Sequence, residues 1–248
     1  MAGHGPQVAV PLAAIRDMGR QEAANAVRML LALTMRSEAG KRDAAWTELW
    51  KELKEMKTSG LPGVDLYWMM AELCRALLRA AKFSLAKSYL QGTGSVKLEP
   101  QLVETVLVKC GREYLFNATS MTAPEIQHAL SCFNMLTPGS PAAEVELSLI
   151  TLLKMLPGFG VELLPVEFQQ VEDPLQIVHM VLDARPGTFR QLDEVMELAD
   201  LLGLNSPSET LKVSAAVAAK AAAAASQPGA EPSDAALAVE LCLKLLED

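Results

Sequence analysis

Aromatic residues are scarce, at 5% of the 248 residues. Sheets favour aromatic and β-branched side chains, so this shortage argues against a β architecture. The abundance of Ala and Leu argues for helices. No apolar stretch reaches the ~18 residues that a membrane span needs. The segment 213–225 comes nearest, but it is alanine-rich and holds Lys220. No secretory leader is expected, because Pro6, Pro11, Arg16 and Asp17 interrupt any early apolar run. The four cysteines, Cys74, Cys110, Cys132 and Cys242, form no CxxC pair. Each falls inside an apolar helical pattern, so buried, reduced thiols of a cytosolic protein are expected.

Catalytic signatures are missing as well. The chain holds no HExxH, GxSxG, GxGxxG or P-loop pattern. Glu125 and His128 make an ExxH, half of a di-iron helix motif, but Gln176 stands where a second glutamate would precede His179. The acidic run Asp193-Glu194-Val195-Met196-Glu197 resembles the magnesium-holding runs of helical prenyl-transfer enzymes. Those sites need two facing clusters, and the sequence offers one. The glycine-rich segment 92–97 follows no strand and reads as a turn between helices. No cofactor, metal or small-molecule substrate is therefore expected, and the chain reads as non-enzymatic.

What is present is a core and a charge gradient. Half of the residues are hydrophobic and 21% are charged, which suits a folded chain. The net charge is −8, so nucleic acid is not an expected partner. Residues 161–248 hold 5 basic and 15 acidic groups, whereas residues 1–160 hold 17 and 15. Asp193, Glu194, Glu197 and Asp200 stand within one helical segment, with Leu192, Val195, Met196 and Ala199 on its other side. This acidic face is the candidate partner-binding site. A solvated face is the alternative.

Helical periodicity runs along the chain after a frayed start of about twenty residues. Helices are expected over 22–35, 43–57, 65–79, 83–90, 98–115, 122–133, 140–156, 173–182, 192–202, 211–225 and 233–246. On the first, Ala26, Met29, Leu30 and Leu33 form the expected inner face. Trp46 and Trp50, four apart, share a face with Leu49 and Leu53. They and Trp68 are expected in the core, with a partner groove as the alternative. Asp65 and Ser140 read as caps. Capping boxes are expected at Thr122–Glu125, Thr188–Gln191 and Ser206–Glu209, and a Schellman end at Gly203-Leu204. Pro157–Gly160 is expected to stop its helix, and 161–168 could be extended. About eleven helices joined by short turns imply an all-α fold, an irregular α-solenoid of stacked antiparallel hairpins.

Several strings also resemble a known family. Lys82-Phe83-Ser84-Leu85-Ala86-Lys87-Ser88-Tyr89-Leu90 is similar to one of its segments. So is Arg112-Glu113-Tyr114 with Asn117-Ala118, and so is the run from Leu156 through Gly158, Phe159 and Gly160 to Pro165. Asp173-Pro174-Leu175 and the run Leu198–Leu204 follow in order. The family is the neuroblastoma-amplified-sequence family, in its secretory-thirty-nine domain. The resemblance covers residues 64–248. Residues 1–63 match less clearly and read as N-terminal helices with a truncated start. The resemblance implies a scaffold subunit of a Dsl-type (NRZ) tethering complex in Golgi-to-ER retrograde transport. It implies protein partners, namely other tether subunits and ER SNAREs. It places the chain in the cytoplasm, peripheral on the endoplasmic reticulum, attached to the membrane indirectly through those partners. The alternative is an α-solenoid adaptor in another complex, such as one of RNA surveillance.

Overall fold

The computed structural model describes residues 19–59, 63–92, 96–227 and 232–247, with side chains of 232 and 244–247 left aside. The expected frayed start, with His4, the loop 60–62 and the centre of the glycine-rich turn, 93–95, lie outside the described residues. So does most of the break between the last two helices, 228–231. All regular elements among the described residues are helical. They are α1 (Arg20–Arg36), α2 (Asp43–Ser59), α3 (Leu66–Arg79), α4 (Phe83–Leu90), α5 (Pro100–Asn117) and α6 (Pro124–Phe133). Then come α7 (Pro141–Phe159), α8 (Pro165–Phe168), α9 (Leu175–Ala184), α10 (Leu192–Leu201), α11 (Pro207–Ala225) and α12 (Pro232–Glu247). Two 3₁₀ turns, Ala39–Lys41 and Thr188–Arg190, precede α2 and α10. The eleven expected helices are present; α8, a single turn in the segment read as extendable, is the addition.

The chain forms two compact units, Met1–Gly111 and Arg112–Asp248. The division at residue 63 was one of likeness, and this one, inside α5, is one of packing. In the first unit α1 packs on α2 and α3, and α3 on α4. In the second, α7 meets α6, α9 and α10, and α11 meets α9, α10 and α12. These contacts run between helices one to three places apart in the chain, the packing of stacked hairpins.

Local chemistry sets most of the helix ends. The Asp65 carboxylate accepts from the Trp68 N–H at 3.2 Å and opens α3. Ser140 caps α7 through the Ala143 N–H. Ser206 and Glu209 form the expected reciprocal box on α11. Those hydrogen bonds from Ser206 hold the Glu209 carboxyl below its ordinary pKa. Gly203, at φ +78°, ends α10, and the Leu204 N–H reaches back to the Ala199 carbonyl at 2.9 Å.

Two expected ends are corrected, and a third, the stop at Pro157–Gly160, is narrowed to its last residue. The N-cap of α6 is Ala123, with Pro124 in the first turn, while Thr122 faces the Ser120 hydroxyl at 3.1 Å. Thr188 opens a 3₁₀ turn and donates to the Arg185 carbonyl, so α10 begins after Gln191. Pro157 lies inside α7 and does not stop it. A proline removes one N–H, and the helix closes around that loss. The stop is Gly160, at φ +86°, where the Val161 N–H returns to the Leu156 carbonyl.

The core of the first unit is aromatic and aliphatic. Trp46 is fully buried and its indole N–H donates to the Gly40 carbonyl at 2.8 Å. Trp50 is buried against Tyr89, edge to face at 6.5 Å. Lys82 ties the start of α4 to α2: its Nζ lies 2.9 Å from Asp43 and donates to the Lys41 carbonyl. The inner face of α1 is corrected to Ala23, Val27 and Leu31, leaving Met29 and Leu33 exposed. The thiols of Cys74, Cys110 and Cys132 are buried, but Cys242 is exposed. Burial pushes the Cys74 thiol up to about 12, so it stays protonated and unreactive.

The second unit encloses a charge. Glu146 is 2% exposed, and its Oε1 takes both Arg112 Nε at 2.8 Å and Nη2 at 2.6 Å. Its Oε2 has no hydrogen-bond partner among the described residues. Removing the guanidinium would strand a buried carboxylate. Arg112→Ala is therefore expected to cost about 1–3 kcal/mol, below the value for a fully buried pair because Arg112 is half exposed. Adding Glu146→Leu should recover much of that loss in urea unfolding. A double variant no more stable than Arg112→Ala would contradict the assignment.

A candidate partner-binding surface

The acidic face is built by α10. Its inner side is fixed by Val195, Leu198 and Ala199, all fully buried. With those positions turned inward, Asp193, Glu194, Glu197 and Asp200 are exposed. Asp193, Glu197 and Asp200 follow at spacings of four and three, a row about 10 Å long on one side of the helix. None of the four forms an ion pair with another described residue.

Nearby charges are already engaged. Arg190, just before α10, holds Asp234 of α12 through two bonds, Nε to Oδ1 at 2.8 Å and a terminal nitrogen to Oδ2 at 2.9 Å. Lys220 pairs with Asp183. Arg185 donates to the Gly158 carbonyl at 2.8 Å. The α10 carboxylates thus stand without local compensation in a unit holding 7 basic and 19 acidic residues.

That arrangement costs helix stability. Asp193 and Glu194 suit the positive N-terminal end of α10, but Asp200 sits at the negative end. Asp193 and Glu197 repel each other at i,i+4. Asp200 set against the dipole and Asp193 set against Glu197 gain nothing for the helix, and the row can attract a basic surface.

Hydrogen bonding by Arg190 holds the Asp234 carboxyl below the usual aspartate pKa. Its charged form is favoured in the folded state, so the stabilisation is complete above the unfolded pKa. It is lost as pH falls through the lower folded value. Asp234→Asn is expected to lower the unfolding midpoint near neutral pH. The gap to the wild type should close below about pH 4. A gap that persists in acid would contradict the pairing.

Other sequence candidates sit elsewhere. Glu125 lies in the first turn of α6, and His128 meets the Tyr114 ring at 4.9 Å. Trp46 and Trp50 are core, whereas Trp68 is half-buried beneath the Arg28 guanidinium, 5.2 Å from its ring. Sequence reading missed the cleft there. Its walls come from α1 and α3, and no local spacing joins Arg28 to Trp68.

Residues 5–227 match the family model for the secretory pathway protein Sec39. A curated relative, MAG2-interacting protein 2 of Arabidopsis thaliana, is 36% identical over 223 residues, 90% of this chain and 9% of the relative. The NBAS subunit of the NRZ tethering complex of Homo sapiens is 28% identical over 97 residues, 39% of this chain and 4% of that protein. The chain spans less than a tenth of the length of either relative.

Proposed function

The chain belongs to the Sec39 family of secretory-pathway proteins, and we propose that it acts as a non-enzymatic scaffold piece of a vesicle tethering complex. The observation that carries this reading is the family match across residues 5–227, joined by likeness to a subunit of the NRZ tethering complex. The helical hairpins support it by offering surface for proteins. In this reading residues 64–248 carry the strings that resemble the family, and because the match starts at residue 5 the helices within 1–63 belong to the same scaffold. The complex works in Golgi-to-ER retrograde transport, and the partners are other tether subunits and ER SNAREs. Asp193, Glu194, Glu197 and Asp200 form the contact for a basic surface on one of them.

The chain is then held on the cytosolic face of the endoplasmic reticulum by proteins. No helix among the described residues is long and apolar enough to cross a membrane. Flotation tests the attachment. The purified chain should float with microsomes, come off in high salt, and fail to float with protein-free liposomes of the same lipids. Equal flotation with the protein-free liposomes would contradict attachment through proteins.

A further inference from the structure

The first unit carries a cleft of about 490 Å³ between α1 and the start of α3. Arg20, Ala24 and Arg28 of α1 line one side, and Val64, Asp65 and Trp68 the other. Arg28 is fixed in place. Its guanidinium stacks on the Trp68 ring, and its Nε lies 3.5 Å from a Glu72 oxygen. Glu72 is shared with Arg75. The terminal nitrogens of Arg28 make no bond to another described residue, and its side chain is 50% exposed. Arg20 is exposed and pairs with no described residue. The acidic member of the cleft, Asp65, accepts the Trp68 N–H on Oδ2 at 3.2 Å and keeps its charge at the cleft's α3 end, away from Arg20 and Arg28 on α1.

We infer that this cleft receives an extended acidic segment of a partner protein, with carboxylates on Arg20 and Arg28 and one apolar side chain between them on Ala24 and Val64. A held guanidinium with a free fork is prepared for a carboxylate, because the ordering cost is already met. Unit charge agrees: residues 1–111 hold 15 basic and 11 acidic groups. Eight residues of helix separate the two arginines by about 12 Å. At about 3.3 Å per residue, an extended segment spans that distance in three to four residues. Side chains of an extended segment alternate faces, so the recognised pattern is two acidic residues four apart with an apolar residue midway. This inference does not depend on the tethering reading.

The test is fluorescence anisotropy of a labelled twelve-residue peptide with two glutamates four apart around a leucine. A peptide with lysines in place of the glutamates is the control. The acidic peptide should bind and the lysine peptide should not. Trp68 emission should shift on binding, since Trp46 and Trp50 are buried. Arg20→Glu should weaken binding about tenfold and Arg20→Gln several-fold. Arg20 is exposed, so both variants keep the fold. Lys109→Glu, an equal charge change on α5, should leave binding unchanged. Arg28→Lys, which loses the fork, should weaken it. Equal binding of both peptides, or full binding by the two Arg20 variants, would overturn the inference. So would sulfate displacing the peptide beyond chloride of equal ionic strength, which would mark a simple anion site. Self-association of the chain that Arg20→Glu abolishes would also overturn it, by making a second copy the occupant.

Discussion

Replacing Trp46 by alanine is expected to destabilise the first unit by about 3–5 kcal/mol, enough to unfold a marginal domain. The indole is fully buried, so its loss opens a cavity that neighbouring helices cannot fill without moving. It also strands the Gly40 carbonyl, which accepts the indole N–H. Gly40 has no freedom to adjust: a Cβ there would lie 2.0 Å from the Thr34 carbonyl oxygen. Gly40→Ala should therefore be nearly as damaging as Trp46→Ala. Trp46→Phe should retain much of the packing and lose the hydrogen bond, at about 1–2 kcal/mol. Urea unfolding of the three variants checks the order. A Trp46→Ala protein as stable as the wild type would mean that the α1–α2 junction is not packed as described.

The second large effect is expected on binding. Asp193→Lys, Glu197→Lys and Asp200→Lys together should weaken the complex with a basic partner at least tenfold and flatten its salt dependence. The neutral pair Glu197→Gln and Asp200→Asn separates binding from folding. It relieves the i,i+4 repulsion and the unfavourable charge at the end of α10, so the helix should gain a few tenths of a kcal/mol. A surface that becomes more stable and less adhesive is a binding surface. Unchanged affinity of the triple lysine variant for purified partners would reduce the row to a solvated face.

The sequence made some of this readable and concealed the rest for physical reasons. Caps at Asp65, Ser140 and Ser206 and the end at Gly203 depend on three or four adjacent residues, so the local chemistry decides them. The acidic row on α10 was legible for the same reason, since Val195, Leu198 and Ala199 leave one orientation for the helix. α1 is different. It is apolar on most sides, and periodicity alone could not choose among its faces. Packing on α2 and α3 turns Ala23, Val27 and Leu31 inward. Thr122 and Thr188 have the right residue type for a box, yet one bonds a neighbouring hydroxyl and the other donates back to the Arg185 carbonyl. The Arg28–Trp68 cleft and the Arg190–Asp234 clamp join residues 40 or more apart in the chain, beyond any local pattern.

The reading of this Sec39-family chain as a tether scaffold is tested most directly by recovering its partners. The tagged chain would be purified from gently lysed cells beside its triple lysine variant, and the bound proteins quantified by mass spectrometry. The account predicts tether subunits and ER SNAREs with the wild type, depleted with the variant. Folded, soluble chain that recovers neither class would contradict it.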